Sequence, residues 1–220
     1  MTRDEIISTI LSRLGQRQTD TALQEAAVKE LATVQRKLED DKFKPWFLLS
    51  EMLTTTTAVG EPRITLPDTF LAECDEGSFW RYDAAASTTY TELRKMEQDT
   101  MLQRYPTAGI PLAYAVVGGY AHLAPVPDAA YTLKSQFYLR QAVLTTAYGV
   151  GDGPTFENNW MLHASAWLMA ELGEVLAKYY VRDTEAAALF HGDAQLARST
   201  CYTDTVARQE ANALRSMGDD

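Results

Sequence analysis

From Thr2 to Gly15 the apolar residues Ile6, Ile7, Ile10, Leu11 and Leu14 recur at the spacing of one helix face, and Gly15 stops the run. Asp20 is placed to cap a second helix with the stripe Leu23, Ala27, Leu31, Val34 and Leu38, which Asp40 and Asp41 end. The short connection predicts that these two helices pack as an antiparallel pair. The period then changes: from Pro45 to Phe70 β-branched and aromatic residues dominate, punctuated by Pro45, Pro62 and Pro67. Thr54–Thr57 and Ile64–Leu66 fit two short strands around a turn. Glu97–Tyr105 predicts a short helix ending before Pro106.

Leu112–Val117 and Tyr120–Ala124 are strand-competent runs divided by Gly118-Gly119, a pair that tolerates the positive φ of a primed hairpin turn. Tyr131–Arg140 alternates, which predicts a third strand with Tyr131, Leu133, Ser135, Phe137 and Leu139 on one side. Past the glycine-rich linker Gly149–Pro154 the helical period returns. Trp160, Ala164, Trp167, Leu168, Glu171, Leu172, Val175, Leu176 and Tyr179 predict one broad apolar helix face, with a break near Arg182-Asp183. A long helix then runs from Thr184 to about Met217, with a small-residue stripe of Ala187, Phe190, Ala194, Ala197, Cys201 and Ala211. The expected fold class is α+β, mainly α: an antiparallel helical bundle with an inserted small antiparallel β subdomain. Residues 1–44 form its first helix pair, 45–148 the β subdomain with its short helix, and 155–220 the long helices that complete the bundle.

At 220 residues the chain can bury a sizeable core, and 46% apolar with 23% charged residues is the composition of a folded domain. Its net charge of −10 comes without any stripe of Lys and Arg that could neutralise phosphates, so stable nucleic-acid binding is not expected. An acidic wall beside a polyanion has another use, since like-charge repulsion keeps a passing strand from sticking. Cys74 and Cys201 are far apart and announce neither a disulfide framework nor a zinc site. The charged N-terminus is not a signal peptide, and the longest apolar stretch, Trp160–Leu172, is interrupted by His163, Ser165 and Glu171, so no membrane span is expected.

The sequence carries no motif of a catalytic nucleophile, base or metal site. His122, His163 and His191 are assigned to a strand, a buried helix and a surface helix, without metal-binding spacing. Trp160 stands where a Glu-x-x-His pair would need its carboxylate, and Glu171 on the apolar face reads as the partner of a buried hydroxyl or arginine. Gly149–Pro154 lacks the Lys-Ser/Thr of a phosphate loop. Trp160, Trp167 and Tyr179 read as core, with Trp167 the expected anchor. No cofactor and no metal is expected.

Taken in order, several landmarks form a pattern: Glu5-Ile6-Ile7, Arg13-Leu14-Gly15-Gln16-Arg17, Pro45-Trp46-Phe47-Leu48-Leu49 and Leu66-Pro67-Asp68-Thr69-Phe70. Gly109-Ile110-Pro111-Leu112-Ala113-Tyr114, Leu123-Ala124-Pro125-Val126-Pro127-Asp128 and Tyr131-Thr132-Leu133 follow. This order resembles the adaptor, or head-to-tail connector, family of tailed bacteriophages, of the short-tailed-phage type, over nearly the whole chain. Glu157-Asn158-Asn159 departs from it, standing where family members often have Pro-Asp.

The resemblance implies a non-catalytic virion protein, made in the host cytoplasm, that forms a homo-oligomeric ring, a dodecamer, docked under the portal protein. The ring extends the DNA channel and offers a platform for tail or nozzle proteins. The apolar stripe of the last helix thins after Cys201, so its end is the segment expected to dock, with Arg208, Leu214, Arg215 and Met217 as portal contacts. Three other readings stand beside this one: another virion ring component, such as a tail-tube or tail-completion subunit; a small hydrolase or lyase using a carboxylate pair such as Asp152 with Glu157; and a host-side helical binding module.

Overall fold

Thr2 starts the first helix, α1 (Arg3–Arg13), with a reciprocal cap: its hydroxyl accepts from the Glu5 amide at 3.2 Å, and its own amide donates to the Glu5 carboxylate at 2.8 Å. The computed structural model describes residues 1–15, 17–74, 77–82, 90–144 and 157–217, with side chains as far as residue 210. The chain divides into two compact units, one made of Met1–Leu48 with Gln141–Asp220, the other of Leu49–Arg140.

In the discontinuous unit, α2 (Thr21–Glu39) is capped by the Asp20 carboxylate, which accepts from the Leu23 amide at 3.1 Å. The stripe Leu23, Ala27, Leu31, Val34 and Leu38 is buried, as are Ile6, Ile7, Ile10 and Leu11 of α1. The two helices touch, yet each packs more extensively on α5 (Ser165–Val175) than on the other. The apolar stripes go where the most apolar surface lies, because burial is worth about 25 cal/mol per Å² wherever it is found.

The helix expected from Trp160 to Tyr179 is three pieces. A short α4 (Asn159–His163), capped by Asn158, ends at Ala164; α5 follows; and Leu176–Val181 widens into a π-helical turn closed by Arg182 in the left-handed region at φ 59°. Trp160, Trp167, Leu168, Leu172 and Leu176 are buried as the spacing predicts, but Tyr179 is 64% exposed. The π-turn takes up extra residues and rotates Tyr179 off the apolar face. The last helix, α6 (Thr184–Met217), is about 51 Å long at 1.5 Å per residue.

A buried carboxylate ties this unit together where the chain leaves and re-enters it. Glu39 is wholly buried; its Oε1 accepts from Gln35 Nε2 at 3.1 Å, the Gln141 amide at 3.0 Å and Trp160 Nε1 at 3.3 Å, and its Oε2 from Arg36 Nη1 at 2.5 Å. Asn158 completes the cluster, donating through Nδ2 to Gln35 Oε1 at 2.8 Å and to the Ala142 carbonyl at 2.9 Å.

Among the described residues, the second unit holds ten short strands and one helix. β1 (Leu53–Thr56), β9 (Thr132–Ser135), β4 (Phe79–Tyr82) and β5 (Tyr90–Glu92) form one antiparallel sheet in the order β1-β9-β4-β5. β2 (Arg63–Thr65), β8 (Tyr120–Ala124), β7 (Ala113–Val117) and β6 (Arg94–Lys95) form another, antiparallel except for the parallel β6–β7 pair. β10 (Phe137–Leu139) pairs with β3 (Phe70–Glu73), and α3 (Gln98–Arg104) packs on β7. Leu66, Phe79, Leu93, Tyr114, Leu123, Leu133 and Phe137 build the core.

The β7–β8 hairpin turns at Gly118 and Gly119, with φ of 60° and 82°, and pairs Val117 with Tyr120. Two expectations change. β1 and β2 do not pair with each other but end different sheets, and the strand expected over Tyr131–Arg140 is two, because Gln136 interrupts it between β9 and β10. Period-two alternation survives the interruption, with Leu133, Ser135 and Phe137 all buried, so the pattern alone reads as one strand. The linker Gly149–Pro154 lies outside the described residues.

Replacing Gly118 and Gly119 together by Val forces β-branched residues into left-handed backbone at about 1–2 kcal/mol each. The expected result is a weakened β unit with most of the far-ultraviolet helical signal retained, checked by circular dichroism melting. Glu39→Leu strands buried donors at a cost of about 3–5 kcal/mol, read as a lower urea midpoint; Glu39→Gln, which keeps an acceptor, loses less.

Candidate assembly surface on the C-terminal helix

α6 is held to the rest of its unit along one narrow face. Phe190 and Ala194 are buried and Ala197 and Cys201 half-buried, as the small-residue stripe predicts, and Thr205 extends the stripe at 2% exposure. Close approach to α5 depends on Gly173, where a Cβ would fall 2.4 Å from the Phe190 ring. Around this seam run ion pairs at the surface, Arg13 to Asp193 at 2.7 Å, with the guanidinium also 4.3 Å from the Phe190 ring centre, and Arg198 to Asp41 at 2.9 Å, together with a hydrogen-bond contact of His191 Nδ1 with Glu174 at 3.0 Å. Exposed pairs of this kind contribute about 0–1 kcal/mol each. Glu171 is met by Lys37 Nζ at 3.1 Å and Trp167 Nε1 at 3.4 Å, not by a hydroxyl or an arginine.

Further along, α6 meets the 3-10 turn Trp46–Leu48. Trp46 Nε1 donates to Asp204 Oδ2 at 2.9 Å, the Trp46 amide donates to Thr205 Oγ1 at 3.4 Å, and Arg208 stacks over the Trp46 ring at 3.9 Å. His163 lies 4.7 Å from the same ring and 5.7 Å from Phe47. Its pKa is lowered, first by burial against these neighbours and then by the Arg208 charge, with Asp204 opposing. A groove of about 580 Å³ opens beside it, lined by His163, Trp167, Met169, Leu196, Cys201 and Asp204 among others. Burial, and after it Asp204, pushes the Cys201 thiol up to about 11, so it is protonated near neutrality and not a thiolate nucleophile.

Of the expected portal contacts, Arg208 is engaged inside its own unit, with Trp46 and with Asp204 at 3.2 Å. Leu214, Arg215 and Met217 lie on the part of α6 whose side chains are outside the described residues. Asp152, one half of the carboxylate pair considered for hydrolysis, is outside them as well, and Glu157 is half-buried. His163 is exposed on one side rather than enclosed in a buried helix. Among the described residues no three His, Cys, Asp or Glu side chains are grouped to hold a metal ion, and no helix is long and apolar enough to cross a membrane. Trp46, Asp204 and Thr205 were not legible as a cluster; only the Pro45–Leu49 landmark marked one of them.

The arrangement is a helix fastened at one side and exposed at the other, with Leu189 and Leu196 at 63% and 70% exposure. The profile of the SU10 adaptor protein family matches residues 1–216. The chain belongs to that family. It is thereby placed among the bacteriophage adaptors, or head-to-tail connectors, which are structural proteins of the virion. No curated protein matches the chain. For an adaptor, exposed apolar side chains on a rigid helix are surface available for assembly.

Gly173→Ala tests how closely this adaptor's last helix must approach α5. The added methyl overpacks Phe190 at a cost of about 1–3 kcal/mol. A lower melting temperature is expected, with part of the loss recovered in the Gly173→Ala/Phe190→Leu double variant.

Proposed function

We propose that this adaptor forms a dodecameric ring under the portal vertex, extends the DNA channel and presents a platform for tail or nozzle proteins, and that it does so without catalysis. Residues 1–44 and 155–220 act in this reading as the two halves of one antiparallel bundle, and 45–148 as its inserted β subdomain. The observation that carries it is the run of α6 to Met217, beyond the last described anchors at Thr205 and Arg208. Gly173 packs against Phe190, so antiparallel running brings α6 to the start of α4 near residue 204, and the helix continues for more than three turns past it. Gln209 and Glu210 are exposed there.

A helix end that outruns its own unit is a lever for a partner. Leu214, Arg215 and Met217 supply the contacts in this reading, with Arg208 fixing the base of the lever. A ring of identical subunits needs two different surfaces on each copy, and exposed Leu162, Leu189, Leu196 and Tyr202 offer apolar area on the helical unit for it. The net charge of −10 suits a wall past which DNA slides.

Truncation after Gln209 keeps the Trp46 contacts and removes the rest of the helix. Its melting temperature is expected to stay near that of the full chain, while co-sedimentation with portal rings is lost. Retained binding would remove the docking role, and global unfolding would show that the helix end belongs to the core.

A further inference from the structure

Trp46 stands at the point where the helical unit hands the chain on, three residues before Leu49, and Asp204, Thr205 and Arg208 of α6 converge on it. Asp204, Thr205 and Arg208 follow one another on α6 at i, i+1 and i+4, so one tryptophan fixes a full turn of the helix by its indole N–H, its backbone amide and its ring. His163 of α4 shares that ring with Arg208, at 4.7 Å and 3.9 Å from its centre. We propose that Trp46, Asp204 and His163 are positioning residues that hold the C-terminal end of α6 in place for docking, and that they do so only while His163 is neutral.

The charges around the imidazole decide the sign. From α6 it faces Arg208, which disfavours a second positive charge, and Asp204, which favours one; from the 3-10 turn it faces Trp46 and Phe47, neither of which titrates. The groove that His163 lines also carries Arg13, Asp193 and Cys201. An imidazolium is attracted to an indole face, and Asp204 acts in the same direction. Burial and the Arg208 charge outweigh Asp204, since the net shift is downward, and the Arg208 guanidinium already covers the indole at 3.9 Å, where a second cation meets its repulsion. Asp204 is moreover already engaged, by Trp46 Nε1 at 2.9 Å and Arg208 at 3.2 Å, so a charged His163 competes for a carboxylate in use. The folded pKa lies below the ordinary 6.5, so the clasp is intact above that value. It weakens as pH falls from there through the folded pKa.

The consequence for docking rests on the reading given above, but the clasp is measured on the full chain alone, so its failure and a failure of portal binding are separate results. Amide hydrogen exchange of Val206–Glu210, corrected for intrinsic rates, is compared at about pH 7.5 and about pH 5. Protection is expected to fall about two- to fivefold at the lower pH, the size of one exposed cation–π contact, and to stay constant in His163→Gln. A second measurement follows the His163 ring by NMR in Arg208→Gln, where its titration moves up towards the ordinary value. An equal loss of protection in His163→Gln, no loss in the natural chain, or an unmoved His163 titration in Arg208→Gln each overturns the proposal.

Discussion

Glu39 is a carboxylate with no exposed surface, and the helical unit is arranged around keeping it satisfied. A buried charge costs several kcal/mol unless hydrogen bonds replace the water it has lost. Here the replacements come from different stretches of chain: Gln35 and Arg36 one turn earlier on α2, the Gln141 amide where the chain returns after β10, and the Trp160 indole on α4. Because the chain leaves this unit after Leu48 and re-enters it at Gln141, that single side chain joins both sides of the interruption. Asn158 reinforces the join by capping α4 while holding Gln35 and Ala142.

From that anchor the packing follows a gradient of apolar surface. α5 presents apolar residues on most of its circumference and collects α1, α2 and α6 around it. The glycine in its last turn lets Phe190 of α6 approach closely, and the π-turn after it reverses the chain through Arg182. The same π-turn places Tyr179 outside. Thus the features that complete the core also decide which large side chains are left on the surface, where an adaptor has use for them.

The attachment of α6 is uneven along its length. Near its start it has tight apolar contacts and surface ion pairs; near residue 205 it has the Tyr202–Phe43 ring contact, one indole and a few polar groups. Local stability follows contact density, so among the described residues the helix is held most firmly where it packs on α5. The Pro45–Leu49 segment, one of the landmarks that carried the resemblance, is thereby more than a connector: its tryptophan seats α6 at Asp204, Thr205 and Arg208.

The sequence by itself determined the elements whose causes are local. The stripe of α2 and its Asp20 cap, the stop at Gly15, the Gly118-Gly119 turn and the small-residue seam of α6 each depend on residues within a few positions of one another, and the ordered landmarks were enough to point to the adaptor family. Only the tertiary structure decided the polar clusters and the strand partners. Gln35, Glu39 and Asn158 read as ordinary surface or capping residues until Gln141 and Trp160 are brought to them from more than a hundred positions away. β1 finds β9 rather than β2, and Trp46 finds Asp204 and Arg208, for the same reason: periodicity says which face of an element is buried but not which distant element covers it. A buried polar group announces itself only once its partners are in place, because its energy lies in the pairing and not in the residue.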